Sequence, residues 1–122
     1  MTPAGAAGAR ILVVDDEAEV VEILVELLES RGYAVVTAGS AEEALDTMAR
    51  RPVDLVISDL HLSGASGASL AEDIARRWPP LARRVLLLTG DASALDGDVP
   101  YLSKPFSLDE MLQAVAARLS RS

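Results

Sequence analysis

Two hydrophobic periods alternate along this chain. Short, mostly apolar runs at Ile11–Val14, Ala34–Ala38, Val53–Ser58, Val85–Leu88 and Pro100–Ser103 read as strands, the most apolar of them suiting strands covered on both faces. Between them, apolar residues recur every three or four positions, which predicts amphipathic helices. Ala18 to Arg31 carries Val20, Ile23, Leu24, Leu27 and Leu28 and ends at Gly32, a C-terminal cap. Ser40 with Glu43 forms a capping box before Ala44, Leu45, Met48 and Ala49, and Pro52 stops that helix. A third stripe, Leu70, Ala71, Ile74, Ala75 and Trp78, runs into Pro79-Pro80; a fourth, Leu108, Met111, Leu112, Val115 and Leu119, follows a Ser107–Glu110 capping box. Residues 60–67, rich in Ser and Gly, read as a loop. Residues 1–9 read as a disordered leader ahead of one domain over residues 10–121.

Apolar strands separated by amphipathic helices predict an α/β fold: a five-stranded parallel sheet with helices on both faces. Right-handed crossovers leave few topologies. The flavodoxin-like order 2-1-3-4-5 places the first and third strands side by side at a switch point. The last crossover breaks the rhythm. Fourteen residues separate Thr89 from Lys104. Once the strand and its flanks are removed about eight remain, whereas a covering helix needs ~10–12. The fourth helix is therefore expected to be shortened or absent, with at most one turn around Ala92–Leu95.

That order gives the strand ends chemical meaning. Asp15-Asp16, Asp59, Thr89 and Lys104 each follow an apolar run, so a parallel sheet gathers them at one edge. Three carboxylates, an ammonium and a hydroxyl suit a hard divalent cation and a phosphoryl group. Lys104 is the one Lys among eleven basic residues, and a compact point charge suits phosphate contact. Asp15-Asp16-Glu17 could equally favour the N-terminus of the following helix through its dipole. That reading leaves Asp59 and Lys104 unexplained.

A net charge of −8 argues against nonspecific nucleic-acid binding, and one Trp, two Tyr and one Phe leave little for base stacking. Without Cys there is no disulfide, thiol nucleophile or thiolate metal site, and a single His rules out a His-rich zinc site. No apolar run is long enough to span a bilayer, and the N-terminus lacks the pattern of a signal peptide, so the expected location is cytoplasmic, without membrane contact.

Taken together, Ile11-Leu12-Val13-Val14-Asp15-Asp16-Glu17, Asp54-Leu55-Val56-Ile57-Ser58-Asp59-Leu60, Leu88-Thr89-Gly90 and Lys104-Pro105-Phe106 resemble the receiver domain of bacterial two-component response regulators. The resemblance covers residues 10 to about 120. It implies that Asp59 is the phosphoacceptor, attacking the phosphohistidine of a histidine kinase or histidine phosphotransfer protein. It implies a Mg2+ site, in which Mn2+ can substitute, made of Asp16, Asp59 and the His61 backbone carbonyl, with Asp15 reaching the ion through water. Lys104 would pair with Asp59 and then with a phosphoryl oxygen. Thr89 would donate its hydroxyl to the phosphoryl group, Tyr101 matches the switch aromatic, and Gly67 matches the glycine eight positions after the acceptor. The Lys104–Pro105 bond would be cis. The domain would not be an enzyme in its own right, and would be a monomer or weak dimer.

Departures from the family pattern are equally specific. Leu62-Ser63 stand where Met-Pro is usual, His61 and Asp91 flank the expected phosphoryl position, and the fourth crossover is short. The short crossover shifts the expected docking of a kinase or phosphotransfer helix to the first helix, with Val20, Val21 and Leu24 as candidate contacts. The resemblance fits a free-standing regulator or the receiver of a hybrid histidine kinase. Two other classes are open to the same residues. A haloacid-dehalogenase-like phosphatase needs a second Asp where His61 stands. A pseudo-receiver binding partners without phosphorylation would not need the intact Asp15, Asp16, Asp59, Thr89 and Lys104 set.

Overall fold

The fold is seen in a computed structural model, which describes residues 8–120 except 63, 92, 94 and 96–98. Its strands are β1 (Arg10–Val14), β2 (Ala34–Ala38), β3 (Leu55–Asp59), the two-residue β4 (His61–Leu62) and β5 (Ala65–Ser66), β6 (Val85–Thr89) and β7 (Tyr101–Ser103). Helices α1 (Ala18–Glu29), α2 (Ala41–Arg50), α3 (Gly67–Arg77) and α4 (Leu108–Ser120) connect and flank them, with a 3-10 turn at Pro79–Leu81. The main sheet is wholly parallel in the order β2-β1-β3-β6-β7, the expected 2-1-3-4-5 arrangement of its five strands.

The central strands bury both faces because their side chains alternate between two cores. Leu12, Val14, Val56, Val85 and Leu87 pack with Ala44, Met48, Leu70 and Ile74 under α2 and α3. Ile11, Val13, Leu55, Ile57, Leu86 and Leu88 pack with Leu24, Leu28, Met111, Val115 and Leu119 under α1 and α4. The helix ends follow local chemistry. Ser40 Oγ accepts the Glu43 amide at 3.1 Å. Ser107 and Glu110 satisfy each other reciprocally, at 3.0 and 2.9 Å, which is the full capping box. Gly32 takes the left-handed φ of 88° that closes α1, and the Tyr33 amide returns to Leu28 O.

Some expectations are corrected. Gly8 and Ala9, read as leader, join the fold: the Gly8 amide donates to Gly32 O at 2.9 Å, Ala9 O accepts from Ala34 N, and Ala9 is buried. Pairing beside β2 draws them in; residues 1–7 lie outside the described residues. The 60–67 loop contains the small antiparallel β4–β5 pair, turned by Gly64 at φ 75°, and α3 begins at Gly67. Ile23 and Leu108, placed in the apolar stripes, are exposed, because the buried stripes of α1 and α4 centre on Leu24–Leu28 and Met111–Val115–Leu119. Leu24, a candidate partner contact, is buried core. The expected turn around Ala92–Leu95 includes residues outside the description. Among the described residues no α-helix lies between β6 and β7.

Candidate functional site

Strand register assembles the site. Val14 pairs with Ser58, so Asp15, one step on, comes level with Asp59. Asp59 pairs with Leu88, and Thr89 pairs with Ser103, which precedes Lys104. The Lys104 amide also donates to Thr89 O at 2.7 Å, and the Lys104–Pro105 bond is cis. Four side chains distant in sequence, those of Asp15, Asp59, Thr89 and Lys104, are thus brought to the carboxyl edge of one sheet.

Asp59 is buried, and both its carboxylate oxygens are engaged. Oδ1 accepts the His61 backbone amide at 3.2 Å, and Oδ2 accepts Lys104 Nζ at 3.2 Å. Asp15 is buried beside it. Its Oδ1 accepts the Glu17 amide at 2.9 Å, while its Oδ2 is buried without a hydrogen-bond partner among the described residues. Burial pushes the Asp15 carboxyl above its ordinary value, and the Asp59 charge adds to that push against the pull of the Glu17 amide and Lys104.

The carboxylates of Asp15, Glu17 and Asp59 each offer an oxygen within 4.8 Å of the others. One ammonium faces this cluster, so the negative charge is incompletely balanced. An oxygen-only donor set with one buried, partnerless oxygen fits a hard divalent cation such as Mg2+. Leaving such an oxygen unpaired costs roughly 1–3 kcal/mol, which a cation would offset.

Of the residues expected here, Asp15, Asp59 and Lys104 converge. Asp16 is exposed at the rim. Glu17 is the residue that sequence reading passed over. It stands at the N-cap of α1 yet makes no side-chain cap bond, so its carboxylate is left for the cluster. Its adjacency to Asp15-Asp16 was the available signal, masked by the helix-dipole reading. Thr89 is buried, and its hydroxyl is engaged with the backbone of Asp91 at 3.0 and 3.2 Å. Asp91 is exposed, with its carboxyl held below the usual value by the Ser93 hydroxyl and amide, and more weakly by His61. Tyr101 is half exposed on edge strand β7.

Gly67 explains its own identity. Its amide donates to Leu60 O at 2.7 Å. A Cβ there would run into the Asp59 carbonyl oxygen and stand 3.0 Å from Leu60 Cα and 3.1 Å from Leu87 Cδ2. Only glycine lets α3 start this close to the end of β3.

Residues 11–116 match the response regulator receiver domain family. The chain belongs to that family. It is similar to the transcriptional regulatory protein GlrR of Escherichia coli, 36% identical over 121 residues, covering 93% of this chain and 27% of that protein. It is also similar to the transcriptional regulatory protein KdpE of Mycobacterium tuberculosis, 38% identical over 117 residues, covering 92% of this chain and 51% of that protein. The receiver domain thus spans about a quarter to a half of these relatives.

Among solved structures, a response regulator from Chloroflexus aurantiacus superposes with a TM-score of 0.85 at 34% identity, covering 93% of this chain and 99% of that one. TrrA of Thermotoga maritima, a response regulator solved in complex with Mg2+-BeF, gives 0.79 at 36% identity, covering 91% and 99%. The receiver domain of the hybrid histidine kinase CckA gives 0.77 at 33% identity, covering 91% and 99%. Receiver domains are signalling domains of two-component systems. No helix among the described residues is long and apolar enough to cross a membrane.

Proposed function

We propose that this receiver domain takes a phosphoryl group onto Asp59 from the phosphohistidine of a histidine kinase or histidine phosphotransfer protein. The observation that carries the reading is the Asp59 carboxylate, fixed by Lys104 and the His61 amide beside the partnerless Asp15 Oδ2. Both contacts orient the nucleophile, and orientation with charge neutralisation is most of what phosphoryl transfer asks of a protein.

A carboxylate oxygen of Asp59 attacks phosphorus, the phosphorus–nitrogen bond of the donor breaks, and the donor imidazole leaves with its electron pair. Lys104 moves from pairing with the carboxylate to balancing a phosphoryl oxygen. The Thr89 hydroxyl, engaged in its own loop, turns to donate to the phosphoryl group, and this couples the site to the β6–β7 connection and Tyr101. Asp16, Asp59 and the His61 carbonyl, with Asp15 through water, would hold Mg2+ or Mn2+, and Glu17 adds a carboxylate to the same cluster. When bound, that ion supplies positive charge against the phosphoryl oxygens. The domain acts in the cytoplasm as a monomer or weak dimer and catalyses only its own phosphorylation and dephosphorylation.

The test is intact mass after incubation with Mg2+ and a small phosphodonor. The parent should gain one phosphoryl group and Asp59→Asn none. Equal labelling of the variant would move the acceptor elsewhere, and no labelling of the parent would favour a partner-binding module not regulated by phosphorylation.

A further inference from the structure

The sheet end opposite the aspartates carries a second, differently built surface. Two cavities adjoin there and share Pro80 and Arg84. One, of about 710 Å³, has apolar walls that include Met48, Val53, Trp78 and Leu81. The other, of about 650 Å³, is edged by Arg83, Arg84 and Arg118.

The charge here is not simply that of helix ends. Arg50, Arg76, Arg77 and Arg118 occupy last turns of helices, where cations complement the backbone dipole. Arg83 and Arg84 lie outside any helix, between the 3-10 turn and β6. Arg84 donates to Leu119 O at 3.4 Å. The guanidinium groups of Arg83 and Arg118 make no hydrogen bond or ion pair with any described residue. This holds in a chain with nineteen acidic residues, where partners are abundant. Asp54, the carboxylate in the apolar cavity, already accepts the Arg10 amide on Oδ2 at 2.8 Å.

We propose that this surface docks an acidic peptide segment of a partner protein, one apolar side chain seated against Trp78 and Leu81 and its carboxylates paired with Arg83 and Arg118. Charge complementarity selects the partner: unpaired guanidinium groups beside an apolar trough match acidic residues flanking a hydrophobic anchor. The trough is far larger than an inorganic anion needs. The surface is remote from Asp59, so occupancy and phosphorylation are separable.

Trp78 is the only Trp, so its fluorescence reports on this groove and not on the aspartate site. The probe is a synthetic peptide with one Phe flanked by Asp and Glu, titrated into the full chain. Saturable change in Trp78 emission is expected, weakened by salt because the ion pairs lie at a solvated rim. Arg83→Glu with Arg118→Glu should weaken binding by about tenfold or more, and Arg83→Gln with Arg118→Gln by less, both with unchanged circular dichroism and unchanged phosphorylation of Asp59. A peptide with Asn and Gln for its acids, or Ser for its Phe, should bind worse than the parent peptide. The proposal is overturned by an unresponsive Trp78, by equal affinity of the double Glu variant, or by pyrophosphate saturating the signal while the peptide does not.

Discussion

Lys104 Nζ lies 3.2 Å from Asp59 Oδ2 across 45 positions of sequence, and the two side chains differ in exposure, 36% against 8%. The carboxylate is desolvated while the ammonium keeps part of its water. The pair therefore contributes less to stability than its distance suggests, and on the proposed function its value lies in holding the Asp59 carboxylate next to a part-hydrated cation.

Lys104→Met should accordingly fold yet accept phosphate at least about tenfold more slowly, the order of effect expected from losing one charge-stabilising donor. Lys104→Arg should restore only part of the rate, because a planar guanidinium cannot replace a compact ammonium. Time courses of phosphodonor labelling check both, and a parental rate for Lys104→Met would remove the residue from the site.

Asp15→Asn should stabilise the domain at neutral pH. The Asp15 carboxyl is raised by burial above the ordinary 3.8, so its folded-state value lies above its unfolded one. Such a group contributes stability that is fully present below about pH 4 and is lost as pH rises through the elevated folded value. The variant removes a charge whose Oδ2 has no partner among the described residues, worth about 1–3 kcal/mol. Melting curves should show a Tm gain at pH 7 that shrinks towards pH 4. Added Mg2+ should narrow the gap at pH 7 by binding the folded parent more tightly. A pH-independent gain would assign the effect to something other than this charge.

Gly67→Ala should cost about 1–3 kcal/mol, the range for overpacking a filled site. The clash is with the Asp59 and Leu60 backbone, which cannot rotate away as a side-chain tip could. Denaturant unfolding reads the loss, and labelling of the surviving folded fraction should slow because the end of β3 must shift. Unchanged stability would mean that α3 moves freely against β3.

Two single substitutions separate the acidic residues by calorimetric titration with Mg2+ or Mn2+. Asp16→Ala should weaken the metal and stop phosphorylation together. Glu17→Gln should weaken the metal by a smaller factor, since its carboxylate shares the cluster without being buried in it. If Glu17→Gln were the more damaging change, the cluster of Asp15, Glu17 and Asp59 would itself be the coordinating set.

Sequence alone determined the parallel α/β architecture, the strand order and the edge at which Asp15, Asp59, Thr89 and Lys104 gather. The architecture follows from local periods, right-handed crossovers leave few topologies, and the flavodoxin-like order among them brings those strand ends to one edge. Tertiary structure decided which of the adjacent acids turns inward. Both faces of β1 are buried, so alternation alone does not choose between Asp15 and Asp16; Asp15 stays in the ladder, its amide donating to Ala38 O at 3.1 Å, and Asp16 lies beyond it. Asp15 is in step with Ile11 and Val13, and Asp59 with Leu55 and Ile57, on the same side of the sheet. Register brings them level, and Asp16 is left at the rim. The same limit explains Ile23 and Leu108. An apolar stripe on a helix has edges that its period does not define, and only the crossing of the helix over the sheet settles which edge is covered.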